Sequence, residues 1–258
     1  MKILCITQAR LASSRLPGKV LKSVGNKNLL EIQIERLALS KKITDFLVAT
    51  SINSSDDPIE QFCKLKKIKY FRGSEENVLS RFFHAAETVQ PNYVVRVTAD
   101  CPLIDPTIVD LVIDQCIKQK VDYASNTLNP TYPDGIDVEV FRYETLMNAF
   151  KNATLMSDKE HVTPYIWRNS TVKGKDLFNS YSIENSIDYS SYRLTVDEPA
   201  DFEVIESLIK NLGSEKGWLD YILYLENNSS LKKLNSHYLR NEGFELSLKN
   251  DNRKDDLK

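Results

Sequence analysis

The chain has 258 residues, enough for a sizeable core, and its 41% hydrophobic and 27% charged residues are ordinary for a globular protein. A formal net charge of -2 gives no overall positive field for nucleic acid, so phosphate binding must come from a local cluster. No apolar run reaches the roughly 18 residues of a membrane helix, MKILCITQAR is too short a start for a signal peptide, and Cys5, Cys63, Cys101 and Cys116 lack CxxC spacing, so a reduced, cytoplasmic protein with no membrane partner is expected.

Ile3 to Thr7 is an apolar run that reads as a buried first strand, followed by a polar loop from Gln8 to Lys19. Leu29, Leu30, Ile32, Ile34 and Leu37 recur at helical spacing, and Asp45 to Thr50 is a second strand. Asp57-Pro58 opens a helix to about Lys66, Ile68 to Phe71 is a third strand, and Asn77 to Val89 is helical again. Tyr93 to Thr98 is a fourth strand, and Asp105-Pro106 opens a helix with Val109, Val112, Ile113 and Cys116 on one face. This fourfold alternation requires a mostly parallel sheet with right-handed crossovers, a Rossmann-like three-layer α/β/α sandwich.

Beyond residue 120 the rhythm breaks. Asp122 to Thr127 and Ile136 to Phe141 read as strands about the turn NPTYPDG, and Ser157 with Glu160 reads as a capping box. Phe178 to Ile187 and Tyr192 to Val196 read as further strands, Glu198-Pro199 opens a helix to about Leu212, and the part from Trp218 reads as one or two helices. With no repeat or linker, residues 1–248 are expected to form a single domain, and the charged stretch 249–258 a disordered tail.

Four constellations carry chemistry. Arg10, Arg15 and Lys19 lie with Ser13 and Ser14 in the loop after the first strand, where open α/β sheets bind ligands. Arginine forks and a mobile lysine suit a triphosphate, although neither a Walker A frame nor GxGxxG is present, and a solvated basic loop is the plain alternative. Asp100, in TADCPL after the fourth strand, is placed to hold Mg²⁺ against phosphates, or only to cap a turn. Asp197, in TVDEP, offers a second carboxylate or a helix cap. Asp134, Asp137 and Glu139 form an acidic group in which strand alternation sets Asp137 and Glu139 on one face, near Asn126; these four could grip acceptor hydroxyls, accept a cation or face water. His161 is a candidate acceptor contact or base, or a structural residue at a helix start, and the three scattered histidines make no metal cluster.

ARLASSRLPGKVL, VATS, FRGSEENVLSRF, VRVTADCPLIDP, ASNTLNPTYPDGIDVEVF, EHVTPY and LTVDEPADF together resemble the cytidylyltransferase family of CMP-KDO and CMP-sialic acid synthetases, closest to its spore-coat polysaccharide biosynthesis protein F branch. The resemblance runs from Lys2 to about Leu248; CMP-KDO synthetases carry a glycine, and often a glutamine, where this chain has Thr98-Ala99. It implies a mixed sheet of the nucleotide-diphospho-sugar transferase type, often in a homodimer, and a single nucleotidyltransferase domain. It implies an enzyme that moves CMP from CTP, or another NTP, to an acidic sugar or similar small acceptor and releases pyrophosphate in polysaccharide or glycoconjugate synthesis. Arg10, Arg15 and Lys19 would then bind the triphosphate, and Asp100 and Asp197 the Mg²⁺. Ala9, Ser13, Ser14, Thr98 and Ala99, with Ala49, Thr50, Ser51, Gly73, Ser74 and Arg81, would line the nucleotide site. The residues themselves, rather than the resemblance, make Asn126, Asp134, Asp137, Glu139 and His161 the expected acceptor contacts, since CMP-KDO synthetases differ from ASNTLNPTYPDGIDVEVF in this segment. A metal-dependent glycosyltransferase of the same fold is the rival reading, against which no Asp-x-Asp stands near Asp100.

Overall fold

The structure is a computed structural model that describes residues 1–255. Its first half follows the expected alternation. Strand β1 (Ile3–Gln8) leads through a long loop and a small hairpin, β2 (Ser23–Val24) and β3 (Lys27–Asn28), into helix α1 (Leu29–Leu37). Then come β4 (Asp45–Ser51), α2 (Asp57–Lys66), β5 (Tyr70–Gly73), α3 (Val78–Glu87), β6 (Tyr93–Thr98) and α4 (Pro106–Lys118). The caps are those the residue types favour: Asn28, Asn77 and Asp105 side chains accept from Glu31, Ser80 and Thr107 N–H groups.

The second half contains β7 (Tyr123–Ser125), β8 (Glu139–Arg142), α5 (Tyr143–Asn152), α6 (Met156–His161), α7 (Pro164–Arg168) and β9 (Ser180–Ser182). Four more helices follow: α8 (Pro199–Leu212), α9 (Trp218–Asn227), α10 (Ser229–Lys233) and α11 (Glu242–Asp255). The seven-stranded sheet has the order β5-β4-β1-β6-β8-β7-β9. Only β8 runs against its neighbours β6 and β7, and the remaining pairings are parallel. Alternate residues of β1 feed the two faces: Ile3 and Cys5 pack under the layer that includes α4 and α8, Leu4 and Ile6 under the layer of α3 and α5. Helices thus cover both faces of a mostly parallel sheet, a Rossmann-like sandwich.

Several expectations for the second half are corrected. Ile136 to Val138 do not extend β8, because the Asn126 amide takes their ladder positions, donating to Ile136 O at 2.7 Å and accepting from Val138 N at 2.8 Å. Tyr192 to Val196 is not a strand of the sheet; it makes one bridge to Asp134, with Leu194 N donating to Asp134 O at 2.6 Å. Gly135 permits that approach: its φ is +100°, and a Cβ would lie 2.4 Å from Leu194 C. Of Phe178 to Ile187 only Ser180–Ser182 is strand, and of Asp122 to Thr127 only Tyr123–Ser125. The Ser157–Glu160 capping box does not form, since Ser157 lies inside the first turn of α6. Instead the Asp251 carboxylate accepts from Met156 N at 3.0 Å and Ser157 N at 3.2 Å. Helix α11 continues past the expected boundary at 248 to Asp255, while residues 256–258 of the expected tail lie outside the described residues.

Candidate active site

A cleft of about 880 Å³ opens at the carboxyl ends of β1 and β6, where the ligand rule for α/β sheets puts it. Its basic side is the loop after β1. Gly18 N donates to Leu11 O at 3.0 Å, which closes the loop, and Gly18 itself turns at φ +69° to start the short 3-10 turn Lys19–Leu21. The loop is fixed to the sheet by Asp56, whose carboxylate accepts from Leu11 N at 2.7 Å and from Ser51 Oγ at 2.6 Å.

Lys19 is the hub. Its Nζ donates to Asp100 Oδ2 at 3.0 Å and to Asp197 Oδ1 at 2.7 Å, bringing together residues 178 apart in sequence. Arg15 reaches the same Asp197 Oδ1 at 3.1 Å, with Glu198 at 3.2 Å and Glu242 at 3.6 Å. Burial disfavours the Lys19 ammonium, yet the charges of Asp100 and Asp197 outweigh it and raise its pKa. Burial likewise opposes charge on Asp100, but the Lys19 ammonium, helped by hydrogen bonds from Thr98 and Lys19, holds that carboxyl down at about 2.

Behind this hub sits Arg193. It donates to Asp197 Oδ2 at 3.0 Å, Asp134 Oδ2 at 2.7 Å and Asp201 Oδ1 at 2.9 Å. Asp201, fully buried, accepts from the Asp197 and Glu198 N–H groups at 2.9 Å each, so the backbone that presents Asp197 is held at the start of α8. Among the described residues no group of three or more His, Cys, Asp or Glu gathers to hold a metal alone. Two carboxylates converging on one cation do fit Mg²⁺, which takes one or two protein carboxylates and fills its shell with phosphate oxygens and water. Asp100 and Asp197 are the residues that would hold it.

The opposite end of the cleft has a different make-up. Asp137 pairs with Arg240, which also donates to Tyr132 O at 3.1 Å. Glu139 pairs with Arg96, and the Tyr123 and Thr163 hydroxyls donate to its Oε1 at 2.6 Å each. His161 Nε2 lies 2.9 Å from Ser247 Oγ, and its ring meets Phe244 edge-on at 5.2 Å. Burial pushes His161 down to about 4, against the pull of Glu160, so the imidazole is neutral near pH 7.

The cleft gathers most of the expected residues: Ala9, Arg10, Ser13, Ser14, Arg15, Lys19, Arg81, Thr98, Ala99, Asp100, Asp134, Asp137, Glu139, His161 and Asp197 all line it. Ala49, Thr50 and Ser51 do not; they are fully buried in β4. Gly73 and Ser74 also stand back from the lining and act on Arg81. A Cβ at Gly73 would meet Arg81 Cγ at 3.0 Å, and Ser74 O accepts from Arg81 Nη1 at 3.1 Å. Asn126 is outside the cleft, with its amide spent on the backbone described above, which corrects its expected acceptor role. Glu139 reaches the cleft with its carboxylate already taken by three donors, which suits holding Arg96.

Arg96, Arg193, Arg240, Trp167 and Phe244 also stand near or in the cleft, without belonging to any of the four constellations. Arg96 did leave a trace, as the one charge inside the apolar run YVVRVT. The other four carry no local mark.

The cytidylyltransferase family model matches residues 4–241. The chain is 37% identical over 218 residues to the spore coat polysaccharide biosynthesis protein SpsF of Bacillus subtilis, covering 82% of this chain and 88% of that one. It superposes on a cytidylyltransferase from Leptospira borgpetersenii serovar Hardjo-bovis with a TM-score of 0.85 at 33% identity, over 93% of this chain and all (100%) of the other. A CMP:2-keto-3-deoxy-manno-octonic acid synthetase complexed with CTP shares the fold, with a TM-score of 0.60 at 17% identity over 82% of this chain and 99% of that one. A match along nearly the whole chain, on a fold whose strand ends assemble a basic loop against two carboxylates, makes this protein a member of the cytidylyltransferase family.

Proposed function

We propose that this protein transfers CMP from CTP to an acidic sugar or similar small acceptor, with Mg²⁺ as cofactor and pyrophosphate as the leaving group. The observation that carries the reading is the convergence of Lys19, Asp100 and Asp197 beside the Arg10–Arg15 loop. The SpsF relative supports a role in surface polysaccharide synthesis, and the fold neighbour complexed with CTP supports cytidine as the base.

In this mechanism an acceptor oxygen attacks the α-phosphate in line with the departing pyrophosphate. Arg10, Arg15 and Lys19 hold the phosphate oxygens and stabilise charge as it moves onto the leaving group. When bound, Mg²⁺ supplies further neutralisation of phosphate charge. Asp137 is the residue suited to taking the acceptor proton. Burial raises its carboxyl to about 7 against the pull of Arg240, and a base works best with a pKa near the working pH. Positioning does most of the rest.

The test mixes the protein with each NTP in turn, Mg²⁺ and a panel of sugar acids, and follows released pyrophosphate. Release with CTP that depends on one acceptor is expected. Equal release with all four NTPs, or release independent of any acceptor, would sink the reading.

A further inference from the structure

The two carboxylates proposed to hold the metal both have cationic partners within the protein. Asp197 Oδ1 accepts from Lys19 at 2.7 Å and Arg15 at 3.1 Å, and its Oδ2 accepts from Arg193 at 3.0 Å. Asp100 Oδ2 accepts from Lys19 at 3.0 Å, and its Oδ1 faces the Cys101 thiol at 3.6 Å. The Lys19 side chain is only 10% exposed, so water screens these pairs weakly. The cations expected to take the triphosphate are thus the partners of the carboxylates expected to take the metal.

This pairing has a cost for each ligand alone. A divalent cation entering alone would share its two carboxylates with an ammonium about 3 Å from each. A triphosphate entering alone would pull Lys19 and Arg15 away and leave Asp100 and Asp197 uncompensated beside its own negative charge. With both ligands present, Lys19 and Arg15 would pair with phosphate oxygens, and Asp100 and Asp197 would be left to hold the metal. Arg193 is not drawn off in this exchange, because Asp134 and the buried Asp201 hold it from behind.

Taking the proposed function as its basis, we propose that Lys19 is the resident counter-ion of the metal site, so that metal and triphosphate bind as one unit. The flexible stem of lysine suits it to swing from carboxylate to phosphate, which a planar guanidinium does less well. Arg15 extends the same exchange to helix α11, since its third carboxylate is Glu242.

Equilibrium dialysis with Mn²⁺ as the metal probe, with and without CTP on both sides, tests this directly. In the wild-type protein CTP should tighten Mn²⁺ binding at least about a hundredfold, and by linkage Mn²⁺ should tighten CTP equally. Lys19→Met should bind Mn²⁺ without nucleotide about tenfold or more tightly than the wild type, because the competing charge is gone. That gain should vanish in Lys19→Met combined with Asp197→Asn. A residue with a merely structural role would lose metal affinity on mutation, not gain it.

The proposal is overturned if Lys19→Met binds free Mn²⁺ no better than the wild type. It is equally overturned if the wild type binds Mn²⁺ as tightly without CTP as with it, a measurement that needs no variant. Failure of the wild type to bind CTP in the presence of Mn²⁺ would instead remove the proposed function, and with it the linkage. The Mn²⁺ affinity of Lys19→Met would still decide whether Lys19 is the counter-ion.

Discussion

At the end of the cleft proposed for the triphosphate, Arg15 and Lys19 leave the sheet in the loop after β1 and Asp100 just past β6, and Asp197 joins them from the threshold of α8. At the end proposed for the acceptor the charged groups arrive from segments that the sheet does not dictate. Asp137 sits in backbone clamped by Asn126, Arg240 just ahead of α11, and His161 at the end of α6. Apart from Asp197, the first end is a consequence of topology, since a parallel sheet delivers its loops to one edge. The second is a consequence of tertiary packing, and so is the part free to differ between enzymes that share the fold.

If this division is correct, mutations at the two ends should damage different steps. Asp100→Asn should have the largest effect, lowering turnover about a thousandfold by removing a carboxylate proposed to hold the metal, a role worth several kcal/mol to the transition state. Wild-type dependence on Mg²⁺ in that variant would break the comparison at its firmest point. Asp137→Asn should lower acceptor-dependent turnover about a hundredfold and remove the rise of kcat with pH around 7, the value to which burial raises this carboxyl. CTP affinity, read by calorimetry with Mg²⁺ present, should stay within about twofold; a parallel loss there would assign Asp137 to the nucleotide.

Lys19→Ala should cost at least about tenfold in turnover, the worth of a charge-assisted phosphate contact, and Lys19→Arg should restore only part of it. Near-normal turnover in Lys19→Ala would return the loop to solvent. The smallest effect concerns His161. The folded protein keeps it neutral down to about 4, while an unfolded histidine takes a proton near 6.5. Its contribution to stability is therefore whole above pH 6.5 and is lost as pH falls toward 4. His161→Gln should flatten the fall in Tm between these pH values, and an unchanged slope would show that the acid sensitivity lies elsewhere.

What could be read in the sequence follows the same division. Strand runs such as VVRVT, proline-marked helix starts and the Arg10–Lys19 loop are local patterns, and the four-fold alternation placed them at one edge without knowledge of any contact. Asp100 was legible for that reason, whereas Asp197 stood out only as a carboxylate before a proline-marked helix start. The acidic group after Asp134 was legible as a group but not in its roles. Nothing local tells that Asn126 would substitute for a strand, that Glu139 would be saturated by Tyr123, Thr163 and Arg96, or that Arg240 would reach back to Asp137. Tyr192 to Val196 misled because its apolar alternation fits a strand equally well, and only the close approach of Gly135 shows what it packs against.

Helix α11 also bears on how this scaffold can be redesigned. It is attached by polar ties, Arg15 to Glu242, His161 to Ser247 and the Asp251 cap on α6, rather than by a deep apolar seam; Leu239 and Leu246, on or beside it, are 71% and 60% exposed and still face the cleft. Positions of this kind accept substitution at small cost to folding. A combinatorial library varied at Leu239 and Leu246, with Arg240, Phe244 and Asp251 kept, would sample new acceptors while leaving the loop proposed for the triphosphate untouched.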